Sequence, residues 1–457
     1  MASGKPLTRR ELLQLMGAGV LGSALPAIGR AAEEAHIVKP GESRAMISGM
    51  LGAPATKIAY AIREGMTSST EVTTEYLERI ESINPQLNAI VLVAAEQALD
   101  QAARADAALA RHGQVGPLHG VPMTLKDSID TAGIVTTYGT TGRSDTVPTA
   151  DATVVRRLKA AGAVLIGKTN TPELTLSFET DNLVFGRTMN PYAPDRSPGG
   201  SSGGAAAAVS SGLCAFDIGS DTGGSVRVPS HCCGTAGLKP TQGRVPRTGH
   251  AISYGGLHDG LTQLGPIARS VDDLELILRV IAGPDGRDPF VSAAPLGNSR
   301  EIEVAGLRVA WHSDNGIYTP TEEIRSVTEA AALSLGEAGA RLTEIVPPPI
   351  PDTNEALIKL FVWNDDGGEW IRRLLDAAGT DTPSPAIAAQ INPDLRLGGD
   401  VIVERIEARD RFRAAMVAFM GDYDVLVTPV TGFPAPPYGQ AEVDALFPGY
   451  SYTQVYN

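Results

Sequence analysis

The chain has little of several features that would assign a protein to a class at once. Its 457 residues include only three cysteines, an odd number that is too small for a disulfide framework. The spacing of these cysteines does not suit a zinc site. No apolar segment is long enough to span a membrane. Basic residues are outnumbered, and the formal net charge of −14 argues against nucleic-acid binding, which needs a basic surface. The cysteines, which we expect to be small buried residues, are Cys214, Cys232 and Cys233.

Lysine is also scarce, since 8 of the 38 basic residues are lysine and 30 are arginine. A lysine flanked by apolar residues therefore stands out. The content of 43% hydrophobic and 20% charged residues is typical of a globular protein with a packed core.

The N-terminus carries a pattern typical of a twin-arginine export signal. Arg9 and Arg10 precede a weakly apolar run rich in glycine and alanine, Met16–Ile28, and small residues follow it. A frayed amphipathic helix is the alternative, but the order of these features favours the signal. We expect residues 1–31 to be the signal, residues 32–457 to form the mature domain, and the protein to be periplasmic or otherwise exported.

Helical and strand patterns alternate through the rest of the chain. Ser68 and Glu71 form a capping box that begins a helix. Further helices are expected over about Ala94–Arg111, Thr153–Leu158, Ala205–Val209, from Ser270, Thr321–Leu335 and Val401–Met420. Strands are expected over Val121–Leu125, Ala163–Ile166, Cys214–Ile218, Leu307–Trp311 and Asp424–Thr428. This alternation predicts an α/β protein. Pro347–Pro351 is the best candidate boundary, but the same pattern continues beyond it, so we favour one large domain.

Two short patterns match known motifs in the wrong context. Gly162–Thr169 fits G-x-x-x-x-G-K-[ST], but a helix precedes the first glycine and an apolar strand replaces the flexible phosphate-binding loop. Gly199–Gly203 fits G-x-S-x-G, the nucleophile elbow of α/β-hydrolases, but three prolines lie ahead of Ser201 where the elbow needs a strand. Nucleotide binding is therefore not expected, whereas an α/β-hydrolase that uses Ser201 stays an alternative.

Two glycine–serine loops, Gly199–Gly204 and Gly223–Ser225, join regular elements closely, unlike a flexible linker. Glycines let the backbone approach a ligand and present N–H groups to it, as a tetrahedral oxyanion requires. The two loops therefore indicate a site in which a serine is the nucleophile.

A serine nucleophile needs a base. Of seven histidines, His119 and His231 lie nearest in sequence to these loops, and neither has the context of a catalytic triad. A lysine can serve instead, because burial away from water favours its neutral form. Lys126, Lys168 and Lys239 all have apolar flanks, so the residue pattern alone does not choose among them.

The stretch from His119 to Thr241 resembles the amidase signature family, and weaker similarity runs from about Ile58 to Pro429. The resemblance lies in Lys126-Asp127, Gly167–Glu173, Gly199–Gly204 and Gly219–Arg227. It implies an α/β fold in one large domain, with a central twisted mixed β-sheet covered by helices on both faces.

The resemblance also implies catalytic roles. By position, Ser225 matches the family's nucleophile, Ser201 its bridging serine and Lys126 its base. Neutral Lys126 would take the proton of Ser201, which would take that of Ser225, and the alkoxide would attack an amide carbonyl. The resemblance implies no metal or organic cofactor.

Neighbouring residues would support this chemistry. Asp221 and Arg227 are expected to pair and fix the turn, and Ser202 to hydrogen-bond in the site without a chemical step. The developing oxyanion would be met by the backbone N–H groups of Thr222, Gly223, Gly224 and Ser225.

Two features depart from the family pattern. Val228 stands where the amidase component of the tRNA-dependent amidotransferase usually has glutamine, which, with the export signal, argues against a tRNA-linked cytoplasmic role. The sequence ends at Tyr456-Asn457, where family members usually continue into a further apolar segment that completes the core. A catalytically inactive, amidase-like binding subunit therefore stays a third reading, beside the amidase and the α/β-hydrolase.

The resemblance leaves the substrate open, because the family acts on aliphatic, aryl, peptide C-terminal and fatty amides and on lactam oligomers. Leu357–Pro393 is a candidate lining of the acyl pocket, with Phe361, Trp363 and Trp370 as walls, although aromatic residues at this spacing are often core. The expected partner is a small amide, with no nucleic acid and no membrane span. The oligomeric state, a homodimer included, is open.

Overall fold

The computed structural model describes residues 49–113, 115–252, 259–350, 366–442 and 445–457. The predicted export signal over residues 1–31 lies outside the described residues, and so do Phe361 and Trp363. The hypotheses about them stay predictions.

Helices and strands alternate along much of the described chain, as the periodicity predicts, although four of the nine strands there were not predicted. The helices are α1 (Ala55–Arg63), α2 (Ser69–Leu87), α3 (Ala95–His112), α4 (Thr153–Ala160), α5 (Gly203–Ser210), α6 (Arg227–Cys233), α7 (Val271–Ile281), α8 (Glu322–Glu337), α9 (Glu369–Ala378), α10 (Pro385–Ala388), α11 (Gly399–Met420) and α12 (Ser451–Gln454). The strands are β1 (Ile90–Val93), β2 (Pro122–Lys126), β3 (Val164–Thr169), β4 (Phe216–Asp221), β5 (Ala236–Gly237), β6 (Gln263–Ala268), β7 (Arg308–Trp311), β8 (Arg341–Glu344) and β9 (Val425–Val427).

Helix starts follow the predicted capping residues. The Ser68 hydroxyl accepts from the Glu71 N–H at 3.0 Å, and the Glu71 carboxylate accepts from the Ser68 N–H at 2.9 Å, which completes the capping box of α2. The hydroxyl of Ser270 accepts from the N–H of Asp273 at the start of α7. These boundaries are local, so the sequence alone locates them well.

Six strands form a central mixed sheet in the order β1-β3-β2-β4-β6-β5. β2 runs parallel to β3 and β4, whereas β1 pairs antiparallel with β3, and β6 with β4 and β5. Every residue of β2, β3, β4 and β6 is buried, as expected where helices cover both faces. α3 packs against β3 and α5 against β4. The predicted single domain with a helix-covered mixed sheet is confirmed.

The parallel pairing of β2 and β4 sets the place of the site. Because both strands run in one direction, their carboxyl ends meet at one edge of the sheet. Lys126 ends β2 and Asp221 ends β4. Ligand sites in α/β proteins commonly form at this edge.

A second sheet contains three parallel strands in the order β8-β7-β9. The sequence predicts β7 and β9, but it does not show that they leave the central sheet, because periodicity does not specify pairing partners. β8 was not predicted, since three of its four residues are exposed and Leu342 is its one apolar side chain.

The three cysteines are free and buried, as expected. Cys214 precedes β4, and Cys232 and Cys233 end α6. Among the described residues, no helix combines the length and the apolar character that crossing a membrane requires.

Candidate active site

Lys126 is the last residue of β2, and its side chain is completely buried. Its Nζ lies 2.6 Å from the Ser201 Oγ. The same nitrogen contacts the Oγ of Ser202 at 3.1 Å and of Ser220 at 3.0 Å. A single buried amine is thus surrounded by three serine hydroxyls.

Burial lowers the pKa of the Lys126 amine well below its ordinary value, because the low-dielectric interior disfavours the charged ammonium. The negative charges of Asp221 and Asp217 act in the opposite direction, but burial outweighs them. The neutral amine is therefore accessible to this lysine at pH values where an exposed lysine is protonated.

The other two candidate lysines contact different groups. Lys168 is also buried, and its Nζ donates to the carbonyl oxygen of Ile129 and to the hydroxyls of Thr131 and Thr136, with the Asp127 carboxylate 3.9 Å away. The Nζ of Lys239 donates to the carbonyl oxygen of Pro240 at 3.0 Å. Of these three lysines, Lys126 is the one that contacts the serines, so the geometry favours it as the candidate base.

The first glycine–serine loop leads directly into α5, and Ser202 is the N-cap residue. The Gly200–Ser201 peptide bond is cis. A Cβ on Gly200 would lie 2.5 Å from the Phe178 carbonyl carbon, so a side chain does not fit there. Close approach of two backbones therefore explains why this loop needs glycine.

The second loop lies between β4 and α6, and we call Thr222–Ser225 the nucleophile turn. The Ser202 N–H donates to the Ser225 carbonyl oxygen at 3.2 Å, which joins this turn to the first loop. Ser225 is 8% exposed, whereas Ser201 is 1% exposed. The structure thus brings the three predicted catalytic residues into one site, in which Ser225 is the most accessible.

Asp221 and Arg227 form the predicted ion pair across the ends of the turn. Arg227 Nη2 lies 2.8 Å from Asp221 Oδ1, and its Nε lies 2.9 Å from Oδ2. Burial of Asp221 would raise the pKa of this carboxyl, but Arg227 and backbone N–H donors outweigh burial and lower it to about 2. Asp221 is therefore an ionised residue that holds the turn.

One expected oxyanion donor is already engaged. The Gly224 N–H donates to Asp221 Oδ1 at 2.8 Å, so it does not point freely toward a substrate. The expectation that all four N–H groups of the nucleophile turn meet the oxyanion is therefore corrected for Gly224. The hypothesis is narrowed to Thr222, Gly223 and Ser225.

Two residues of the site were missed by sequence reasoning. Ser220, at the end of β4, contacts Lys126 and has no sequence signal beyond its place in Gly219–Ser225. Asp217 is fully buried on β4 and accepts from the hydroxyls of Thr124 and Thr169 at 2.6 and 3.0 Å. Burial raises the pKa of Asp217 to about 7. A charged residue inside an apolar strand was the available signal.

The histidines do not support the α/β-hydrolase alternative. In the described part of the chain, His119, His231 and His312 bond to Ala105, Phe433 and Tyr456 respectively, and His250 bonds to Ser128 and Ile252. The segment before Ser201 forms turns and bends rather than a strand. The geometry therefore favours Lys126 over a histidine as the base.

Of the three predicted aromatic walls, Trp370 lies in the described chain. It packs at the edge of a small apolar cluster that includes Leu174, Ile371 and Ile387, which is separate from the main core. This position makes Trp370 part of a local core, while its role in substrate binding stays a prediction.

Comparisons with known proteins agree with this geometry. The sequence model of the family described as Amidase matches residues 71–457. The indoleacetamide hydrolase of Bradyrhizobium diazoefficiens is 36% identical over 84% of this chain and 72% of its own length. A glutamyl-tRNA(Gln) amidotransferase subunit from Moorella thermoacetica is 43% identical over 64% of this chain and 59% of its own length.

The chain thus spans 59% of the length of that relative from Moorella thermoacetica. Among solved structures, a 6-aminohexanoate cyclic dimer hydrolase complexed with substrate superposes with a TM-score of 0.77 at 26% identity, covering 88% of each chain. The family match covers both glycine–serine loops and Lys126. The chain belongs to the amidase signature family.

Proposed function

We propose that this chain is a serine hydrolase that cleaves a carboxylic amide into an acid and ammonia or an amine, through an acyl-enzyme on Ser225. The observation that carries the proposal is the buried Lys126 amine, 2.6 Å from the Ser201 hydroxyl. That hydroxyl lies in a loop joined directly to the turn that contains Ser225.

The three contacts of Lys126 suit a neutral base. A neutral amine has two N–H donors and one lone pair, whereas an ammonium has three donors and no acceptor. The two N–H groups can donate to Ser202 and Ser220, while the lone pair accepts the proton of Ser201 across the shortest of the three distances. Ser201 in turn takes the proton of Ser225.

The Ser225 Oγ then forms a bond to the amide carbonyl carbon, and the carbonyl oxygen becomes an oxyanion. The N–H groups of Thr222, Gly223 and Ser225 are the proposed donors to that oxygen. When the tetrahedral intermediate collapses, the C–N bond breaks, and the proton held by Lys126 passes through Ser201 to the leaving nitrogen. Water, activated by the same pair, hydrolyses the ester on Ser225.

The relatives support an amide as the substrate class. The indoleacetamide hydrolase similarity covers 84% of this chain, whereas the similarity to the amidotransferase subunit covers 64%. The broader coverage favours a hydrolase that acts alone. A small-molecule amide is therefore the partner that we propose.

Covalent labelling tests the proposal. The protein is treated with a serine-reactive fluorophosphonate, and the modified residue is located by peptide mass spectrometry. We expect label on Ser225, slowed at least about 100-fold in Lys126→Met, because a general base contributes on this scale. Lys57→Met, which changes an exposed lysine of α1, is the matched control and should label as wild type does.

Other outcomes would support the competing readings. Label on Ser201 with Ser225 unmodified would indicate α/β-hydrolase chemistry. A folded protein that takes no label, and hydrolyses none of a panel of aliphatic, aryl and fatty amides, would indicate a catalytically inactive binding subunit.

We also infer export through the twin-arginine route, on the pattern around Arg9 and Arg10. Expression of the full chain in a bacterium, followed by fractionation, tests this. Replacing both arginines by lysine should leave the protein in the cytoplasm, because the signal is recognised as an address by a receptor. Equal periplasmic amounts of the two forms would contradict the inference.

A further inference from the structure

The Arg227 guanidinium joins the nucleophile turn to the C-terminal part of the chain. Besides its pair with Asp221, it donates from Nη1 to the carbonyl oxygen of Thr453 at 2.8 Å. Its Nη2 also donates to the Asn457 side-chain oxygen, Oδ1. One cation thus connects the site with residues more than 220 positions away in sequence.

Asn457 is held on its other side as well. Its Nδ2 donates to the carbonyl oxygen of Leu261 at 2.6 Å. The next residue, Thr262, contacts the Thr222 hydroxyl through its own hydroxyl at 3.0 Å. The Asn457 amide therefore lies between Arg227, which fixes one end of the nucleophile turn, and a segment that contacts the other end.

The nucleophile turn packs closely against this C-terminal part of the chain. Gly224 has a φ of +143°, and a Cβ there would lie 2.7 Å from the Thr453 hydroxyl. Asp221 accepts the N–H groups of Gly224 and Val226 at 2.8 and 3.1 Å. A displacement of Arg227 would therefore move Asp221 and, through it, the backbone that carries Ser225.

We propose that Asn457 is a positioning residue for catalysis, which orients Arg227 and thereby preorganises the nucleophile turn. The inference rests on the proposed function, because it assigns Asn457 a role in the rate of acylation of Ser225. Oxyanion donors act only if they are fixed before the charge develops. Without the Asn457 acceptor, the guanidinium can rotate toward other oxygens. The N–H groups of the nucleophile turn then no longer point toward one position of the oxyanion.

The experiment compares Asn457→Ala with Asn457→Asp and Tyr456→Phe by fluorophosphonate labelling, with the maximal rate and the half-saturating concentration measured separately. Removing one oxyanion donor costs about 100- to 1000-fold. Loosening the turn should cost less, so we expect a maximal rate about 10-fold lower for N457A. The half-saturating concentration should change little. N457D keeps an oxygen toward Arg227 but places its second oxygen against the Leu261 carbonyl oxygen, so it should recover part of the rate.

Tyr456→Phe is the matched control, because it removes the hydrogen bond to His312 from the adjacent residue without touching Arg227. Should N457A not fold, N457S, whose shorter side chain withdraws the acceptor, takes its place. Equal rates for N457A and wild type, equal slowing in Y456F, or no recovery in N457D would each overturn the inference. An unlabelled wild type would instead count against the proposed function, so the two failures are distinguishable.

Discussion

Replacement of Asp221 by asparagine should weaken both the fold and the activity. Each carboxylate oxygen of Asp221 accepts from Arg227 and from a backbone N–H, those of Gly224 and Val226 respectively. An asparagine side chain keeps the shape but offers one oxygen. Its NH₂ group must then face two other donors, and Arg227 loses its buried counter-ion.

The magnitude follows from burial. Removing one partner of a buried pair costs about 3–5 kcal/mol. Because the Arg227 side chain is 18% exposed and water can reach it, the lower end applies, about 3 kcal/mol. The lowering of the Asp221 pKa from 3.8 to about 2 corresponds to a smaller loss of stability, about 2 kcal/mol. This value is smaller because it does not include the cost of leaving Arg227 without a counter-ion. For a chain of 457 residues we expect a melting temperature lower by about 3 °C.

The assay is a thermal melt, combined with the rate of fluorophosphonate labelling on the folded protein. Asp424→Asn is the matched control, because Asp424 also pairs with an arginine through both oxygens, Nη2 and Nε of Arg308 at 2.7 and 3.2 Å, but on the surface. Solvent screens that pair, so we expect little change there. Labelling should slow in Asp221→Asn and stay normal in Asp424→Asn.

The pH dependence gives a second check. The folded pKa of Asp221 lies below its ordinary value, so its contribution to stability is complete above about pH 4 and is lost as the pH falls through about 2. The difference between wild type and Asp221→Asn should therefore narrow in acid. The reasoning is refuted if both aspartate variants lose the same stability, or if the difference in stability is constant down to about pH 2.

Three other measurements test other parts of the structure. Because a protonated Lys126 cannot accept a proton, the labelling rate should rise with pH through a pKa well below 10.5 and then level off, and a midpoint near 10.5 would contradict burial as the cause. Gly224→Ala places a methyl group against α12 and should cost about 1–3 kcal/mol of stability and slow labelling. In urea titration the control Gly52→Ala, where a Cβ has open space, should match wild type. Lys168→Met leaves the buried Asp127 without its cation and should lower the free energy of unfolding by about 3–5 kcal/mol, and an unchanged urea midpoint would refute that role.

Local features of the fold could be read from the sequence because their causes are local. The capping box of α2 and the buried run of β3 depend on residues a few positions apart. The separate sheet of β7, β8 and β9 could not be read, since strand partners are chosen by contacts across the chain. β8 was missed for a different reason, because three of its four side chains face solvent and it has no apolar run.

The same distinction between local causes and contacts across the chain applies to the candidate site. Glycine–serine loops indicate a serine nucleophile. The flanking residues, however, do not distinguish Lys126, Lys168 and Lys239 as candidates for the base. What separates them is the set of oxygens around each Nζ, which depends on register between distant strands. The engagement of the Gly224 N–H is equally invisible in sequence, because it depends on the conformation of the turn.

The oxygens around the two fully buried lysines explain how one fold can hold both. Lys168 faces a carbonyl oxygen and lies 3.9 Å from a carboxylate, which stabilise its cation, although burial lowers its pKa to about 8. Lys126 faces three hydroxyls, which can accept from the N–H groups of a neutral amine or, in one case, donate to its single lone pair. The carboxylates of Asp221 and Asp217 favour its ammonium form, but burial outweighs them and lowers its pKa. The Asp221–Arg227 pair therefore fixes the nucleophile turn, whereas burial, and not this pair, lowers the pKa of the Lys126 amine.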